Sequence, residues 1–240
     1  MRPKDIPLKE RIIFALDVDS PDKAKDLVKK LESRIGFYKV GLQLFLAGWF
    51  PIVEWIAERG HKVMVDLKFY DVPETVKLAV GQLNNRHVTF ATVHGHGPIL
   101  HAAAAAREDV RILAVTVLTS FGDEDMNELA SAPCKVEDLV LARARRALNA
   151  GIDGIVSSGL EAKRLRDELG DDFLIVTPGI RPGRNIEVPE DDQKRIITAG
   201  QAIRNGADHI VVGRPIKTAS DPLGVVESMQ VEIEEALIPV

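Results

Sequence analysis

Eight short runs rich in β-branched and other apolar residues recur along the chain: RIIFALDVD, FYKVGL, HKVMVDLKF, HVTFATVHG, RILAVTVLTS, DGIVSSG, FLIVTPGI and HIVVGRPI. Each has the length and composition of a buried strand. Between them lie amphipathic or alanine-rich stretches, among them SPDKAKDLVKKLES, LFLAGWFPIVEWIAERG, VPETVKLAVGQLNNR, VEDLVLARARRALNAG and QKRIITAGQAIRNGA. Several close on Gly or Asn-Gly, as helix C-termini do. HAAAAARE, at 101–108, is low in complexity but reads as a helix, because alanine has the highest helix propensity. Strand and helix alternating in this way over 240 residues predict a single-domain (β/α)8 barrel spanning 1–240, a fold that typically takes about 250 residues. The competing architecture is an open doubly wound sheet, but the first strand-to-helix turn, LDVDSPDKA, has no G-x-G-x-x-G. One long irregular stretch stands out, RPGRNIEVPEDD at 181–192, and its length in a compact domain points to an active-site loop.

The third run places charge where core is expected. The strand period of two puts Met64, Asp66 and Lys68 on one face and Val63, Val65 and Leu67 on the other. The Val-Val-Leu face suits packing against helices, so Asp66 and Lys68 point toward the barrel axis at the C-terminal mouth, where barrel active sites lie. Asp71 falls in the following loop, before Pro73 opens a helix. Strand one repeats the arrangement with Ile13, Ala15 and Asp17 on one face, and strand two offers Lys39 among apolar neighbours. Any one of these charges is readily explained by an ion pair, or at Asp71 by helix-start chemistry. Together they are not, because burying charges costs several kcal/mol per ion and apolar replacements are often as stable. A convergent charged set at a barrel mouth is a functional candidate.

Composition removes other classes. A net charge of −5 gives no basic field for nucleic acid, and no Lys/Arg block suggests a membrane-surface patch. Cys134 is the single cysteine, so neither an intrachain disulfide nor a cysteine-rich zinc site is available, which fits a reducing cytosol. The polar start MRPKDIPLKE and the absence of a long apolar run fit a soluble, cytoplasmic protein. His94 and His96 in TVHGHGP have a spacing that strand geometry would turn to one face, but no third metal ligand is identifiable. Trp49 and Trp55 read as helix packing, and Thr119 or Ser120 as residues that end strand five.

The pattern D-x-K-x-x-D-[IV]-P-x-T, present as Asp66 through Thr75, resembles the orotidine 5′-monophosphate decarboxylase family, and FALDVD, YKVGLQLF, AVTVLTS, TPGIRP and VVGRPI extend the resemblance in order nearly end to end. It implies a (β/α)8 enzyme of pyrimidine biosynthesis that works without cofactor or metal on a small-molecule nucleotide. By resemblance Lys68 is the proton donor, and Asp66 and Asp71 are its flanking carboxylates. Asp17 and Lys39 lie on the ribose side and Thr119 on the pyrimidine side. Arg181, Gln193, Gly213 and Arg214 contact phosphate, and the 181–192 loop closes over it. A homodimer is implied, with Asp71 and Thr75 at the neighbouring subunit's site, and Val72 is implied as a substrate-binding residue. Val72 and Glu74 stand where the motif more often has Ile and Asn, and the loop from Arg181 to Gln193 is longer than in many relatives. The closest rival is a magnesium-dependent sugar-phosphate enzyme sharing D-x-K-x-x-D, such as a 3-keto-L-gulonate 6-phosphate decarboxylase or a hexulose-phosphate synthase. These use an acidic residue near the end of strand two to bind metal, where this chain has Lys39. A non-catalytic nucleotide-sensing barrel would explain the phosphate residues but not a lysine between two aspartates.

Overall fold

The computed structural model describes residues 4–130, 133–183 and 195–238. The strands, in chain order, are β1 (Ile12–Ala15), β2 (Phe37–Gly41), β3 (Lys62–Phe69), β4 (Phe90–His94), β5 (Arg111–Val115), β6 (Gly154–Val156), β7 (Leu174–Thr177), β8 (Ile180–Arg181), β9 (Ile197–Thr198) and β10 (His209–Val212). Eight of them close into a parallel barrel in the order β1-β10-β7-β6-β5-β4-β3-β2. These are the eight runs read from the sequence. β8 and β9 form a separate two-stranded parallel pair beyond the end of β7, which the apolar pattern did not reveal because each is two residues long. Among the described residues, no helix is long and apolar enough to cross a membrane.

Period two sorts the strand residues as expected. Ile13, Ala15, Phe37, Met64, Phe90, Leu113, Leu174, Val176 and Val211 fill the barrel, whereas Val63 and Val65 join the outer cluster between sheet and helices, with Leu67 packed against it. The interior changes character from bottom to top. Phe37, Phe90 and the ring of His209 pack at centroid distances of 5.0 to 5.6 Å as a floor, aliphatic side chains lie above, and charge begins at Lys39 and Asp66. A filled barrel of this kind makes the upper mouth a rigid rim for side chains one strand repeat further on.

His209 gives the floor a pH dependence. Burial pushes its pKa down to about 4, despite the bond its Nδ1 donates to the Glu10 carbonyl at 2.8 Å. The unfolded chain therefore takes up a proton between about pH 6.5 and about pH 4 that the folded chain refuses, so stability falls as pH falls through that window. Between roughly pH 7 and pH 5 this amounts to about 2 kcal/mol. Urea unfolding at the two pH values should show that loss in the parent and a flatter response in His209→Asn.

Two elements differ from the sequence reading. The helix Leu42–Glu58 kinks at Trp49, which has φ 47° two residues before Pro51. Proline removes a helical N–H and clashes with the preceding turn, so the chain turns there and Trp49 is left exposed. Trp55 does pack against the core, with Arg59 and Lys25 over its ring. β4 ends at His94, and His96 lies at the residue preceding the helix Gly97–Ala106, so the two histidines are not strand neighbours. Their rings instead meet that of Tyr70, each at 5.0 Å.

Candidate active site

At the C-terminal mouth, four charges from three adjacent strands form a continuous chain. Lys39 Nζ lies 3.1 Å from Asp17 Oδ1 and 3.4 Å from Asp66 Oδ2, and Lys68 Nζ donates to Asp66 Oδ1 at 2.9 Å. Register explains the convergence. Ala15 stands opposite Lys39, and Gly41 opposite Asp66, so β1, β2 and β3 deliver their polar ends to one level. A Cβ on Gly41 would lie 3.0 Å from Lys39 Nζ and 3.3 Å from Asp17 Oδ1, so the glycine leaves the space in which this pair meets.

The order of charges sets their protonation. Burial opposes the Lys39 ammonium, but Asp66 and Asp17 outweigh it and hold its pKa above the ordinary lysine value. Burial likewise opposes the Asp66 carboxylate, yet Lys39, Lys68 and the hydrogen bonds from Lys68 and Thr92 hold it below the carboxylate range. Both groups are charged at neutral pH. Lys68 is partly exposed and turns into a cavity of about 290 Å³ that is also lined by Asp17, Thr119, Arg181, Gly213 and Arg214. β7 stands across the barrel from β3, with β10 beside it. The two arginines that follow those strands therefore face Lys68 from the far side of the mouth. A Cβ on Gly213 would meet Ala15 Cβ and Asp17 Oδ2 only at 3.4 and 3.5 Å, so the space it would take is that of the mouth.

Three expected residues stay outside this cavity. Asp71, Val72 and Thr75 are exposed, and Asp71 Oδ1 accepts from the Val72 N–H at 2.7 Å. Within the chain no ion pair joins Asp71 to Lys68 among the described residues. Asp71 and Thr75 border a shallow groove with Leu42, Phe45, Leu46 and Tyr70. Gln193 and most of the 181–192 stretch lie outside the described residues.

The sequence reading missed two supports. Thr92, fully buried on β4, donates its hydroxyl to Asp66 Oδ1 and accepts the Lys68 N–H, both at 2.9 Å. Period two was the available signal, since it sets Thr92 on the same inward face as Phe90. Arg195 pairs with buried Glu161 at 2.6 Å and donates to the carbonyls of Val117 and Leu118 at 3.2 and 2.9 Å, fixing the backbone that leads to Thr119. No local pattern announces it.

Residues 10–229 match the model of the orotidine 5′-phosphate decarboxylase / HUMPS family. The chain belongs to that family. Orotidine 5′-phosphate decarboxylase of Methylococcus capsulatus is 52% identical, over 97% of this chain and 95% of the relative, and that of Rhodopseudomonas palustris is 48% identical over 95% and 96%. The crystal structure of orotidine 5′-phosphate decarboxylase from Lactobacillus acidophilus superposes with a TM-score of 0.79 at 33% identity, covering 93% of this chain and 99% of that one. Family membership thus covers the barrel and every strand end that contributes to the mouth.

Proposed function

We propose that this protein decarboxylates orotidine 5′-monophosphate to uridine 5′-monophosphate and carbon dioxide, in pyrimidine biosynthesis, without metal or cofactor. The observation that carries the reading is the chain Asp17–Lys39–Asp66–Lys68, which ends in an ammonium turned into the mouth. Breaking the bond between pyrimidine C6 and its carboxylate leaves an electron pair in the ring plane, with no adjacent carbonyl or imine to delocalise it. The Lys68 ammonium stabilises that charge as it develops, which is the differential interaction that accelerates a reaction. It then gives a proton to C6, and the resulting amine recovers one from solvent. Asp66 is shared between two lysines, so its charge is largely engaged, which supports giving more weight to this electrostatic preorganisation than to repulsion of the substrate carboxylate.

Arg181, Arg214 and the open space at Gly213 are the phosphate side, where barrels commonly bind phosphate after strands seven and eight. On the family resemblance we assign Gln193 and the 181–192 loop to the phosphate as well, with phosphate binding energy spent on closing the site. Asp17 and Lys39 hold the ribose, and Thr119 the pyrimidine.

The working unit is a cytoplasmic homodimer in which Asp71 and Thr75 serve the partner's site, and Val72 binds substrate. Leu42, Leu46 and Tyr70 line the groove and are each more than half exposed, an uncovered apolar surface of the sort that marks an interface. The family also includes sugar-phosphate enzymes, but here the carboxylates of Asp17 and Asp66 are already paired by Lys39, which opposes a divalent cation. Purified protein offered orotidine 5′-monophosphate or a six-carbon keto-acid phosphate should release carbon dioxide from the first alone. Release from the sugar phosphate alone, and only with magnesium, would overturn the reading.

A further inference from the structure

The β3–β4 ladder breaks beneath the Asp66–Lys68 pair. Val65 pairs with Ala91, and the next pairing is Phe69 with Val93, so β3 advances from 65 to 69 while β4 advances only from 91 to 93. Inside this bulge Lys68 has φ 50°, a left-handed conformation unusual for a residue with a side chain. Bulges next to active sites re-aim side chains, and this one leaves the Lys68 N–H without a ladder partner. Thr92 is the β4 residue between the two pairings. Its hydroxyl oxygen accepts the Lys68 N–H at 2.9 Å, and its proton goes to Asp66 Oδ1, also at 2.9 Å. The same carboxylate oxygen receives Lys68 Nζ.

We infer that Thr92 is a positioning residue for the decarboxylation: its one hydroxyl closes the β3 bulge, holds Lys68 in its left-handed turn and fixes the carboxylate that aims the Lys68 ammonium. The inference rests on the function proposed above. The two bonds fix opposite ends of a short lever, the Lys68 backbone and its side-chain partner, so losing the hydroxyl frees both together. Strain at a left-handed residue persists only where surrounding contacts over-determine it, and here one buried side chain supplies two of them.

Thr92→Val keeps size and branching and removes the hydroxyl, whereas Thr92→Ser keeps the hydroxyl. Turnover in Thr92→Val should fall about 10- to 100-fold, the scale of a lost hydrogen bond to a buried charged group. KM and the affinity for uridine 5′-monophosphate should stay within about threefold, because the phosphate and ribose contacts lie elsewhere. Thr92→Ser should recover most of the loss. The acid limb of the kcat profile should also move to higher pH in Thr92→Val, because Asp66 loses a bond that favours its charged form. Normal kcat in Thr92→Val, or a loss that Thr92→Ser fails to restore, would overturn the inference. Should the valine variant not fold, hydrogen exchange in the unmodified protein decides: the Lys68 amide should be protected, and exchange at the rate of an open loop would overturn the inference. An unmodified protein inactive on the nucleotide would instead refute the proposed function.

Discussion

Replacing Lys68 by alanine should lower turnover of orotidine 5′-monophosphate at least about 10⁴-fold while the protein stays folded and binds uridine 5′-monophosphate. The size follows from losing two effects at once, a fixed charge facing the developing carbanion, about 10²- to 10³-fold, and a positioned general acid, about 10²- to 10⁴-fold. Folding should survive because Lys68 lies at the open end of the charge chain. Asp66 would keep its pair with Lys39 and its bond from Thr92, so no buried carboxylate is left alone. Binding should survive because Arg181 and Arg214 face the mouth from across the barrel. Steady-state kinetics with a melting curve and product titration check all three outcomes. Near-normal turnover in the purified variant would remove Lys68 from the mechanism.

A second large effect is expected from mixing defects. If Asp71 serves the partner's Lys68, then Lys68→Ala and Asp71→Ala chains are each inactive alone but complementary when paired. In a two-fold symmetric dimer, one site of the mixed pair takes both defects and the other takes none, so verified mixed dimers should regain about half the parental activity. The geometry that motivates this is the absence of an ion pair within one chain: among the described residues Asp71 accepts from the Val72 N–H at an exposed, largely apolar groove, while Lys68 pairs with Asp66. Mixed dimers isolated by two affinity tags and assayed directly supply the measurement. No recovery would mean that Asp71 acts within its own chain, and an Asp71→Ala protein that is active by itself would mean that Asp71 takes no part.

Much of this was legible in the sequence, for a physical reason. Barrel strands are short and buried on both faces, so apolar runs mark them, and the period of two assigns Met64, Asp66 and Lys68 to the axis without knowledge of the fold's details. The same rule would have found Thr92, whose hydroxyl attracts no notice until Asp66 is placed beside it. Other features are set by contacts that no local pattern encodes. The bulge at Lys68 depends on a mismatch between β3 and β4, and the exposure of Trp49 on how Pro51 bends one helix. Arg195 reaches carbonyls far away along the chain. The role proposed for Asp71 would be a property of two chains, which neither the periodicity of one chain nor its fold would contain.

The most direct test of the central claim is ultraviolet absorbance of orotidine 5′-monophosphate with a catalytic amount of the purified protein in excess metal chelator. The account predicts many turnovers per chain with no added cofactor, lost in Lys68→Ala. An unchanged spectrum, or conversion only after magnesium is restored, would contradict it.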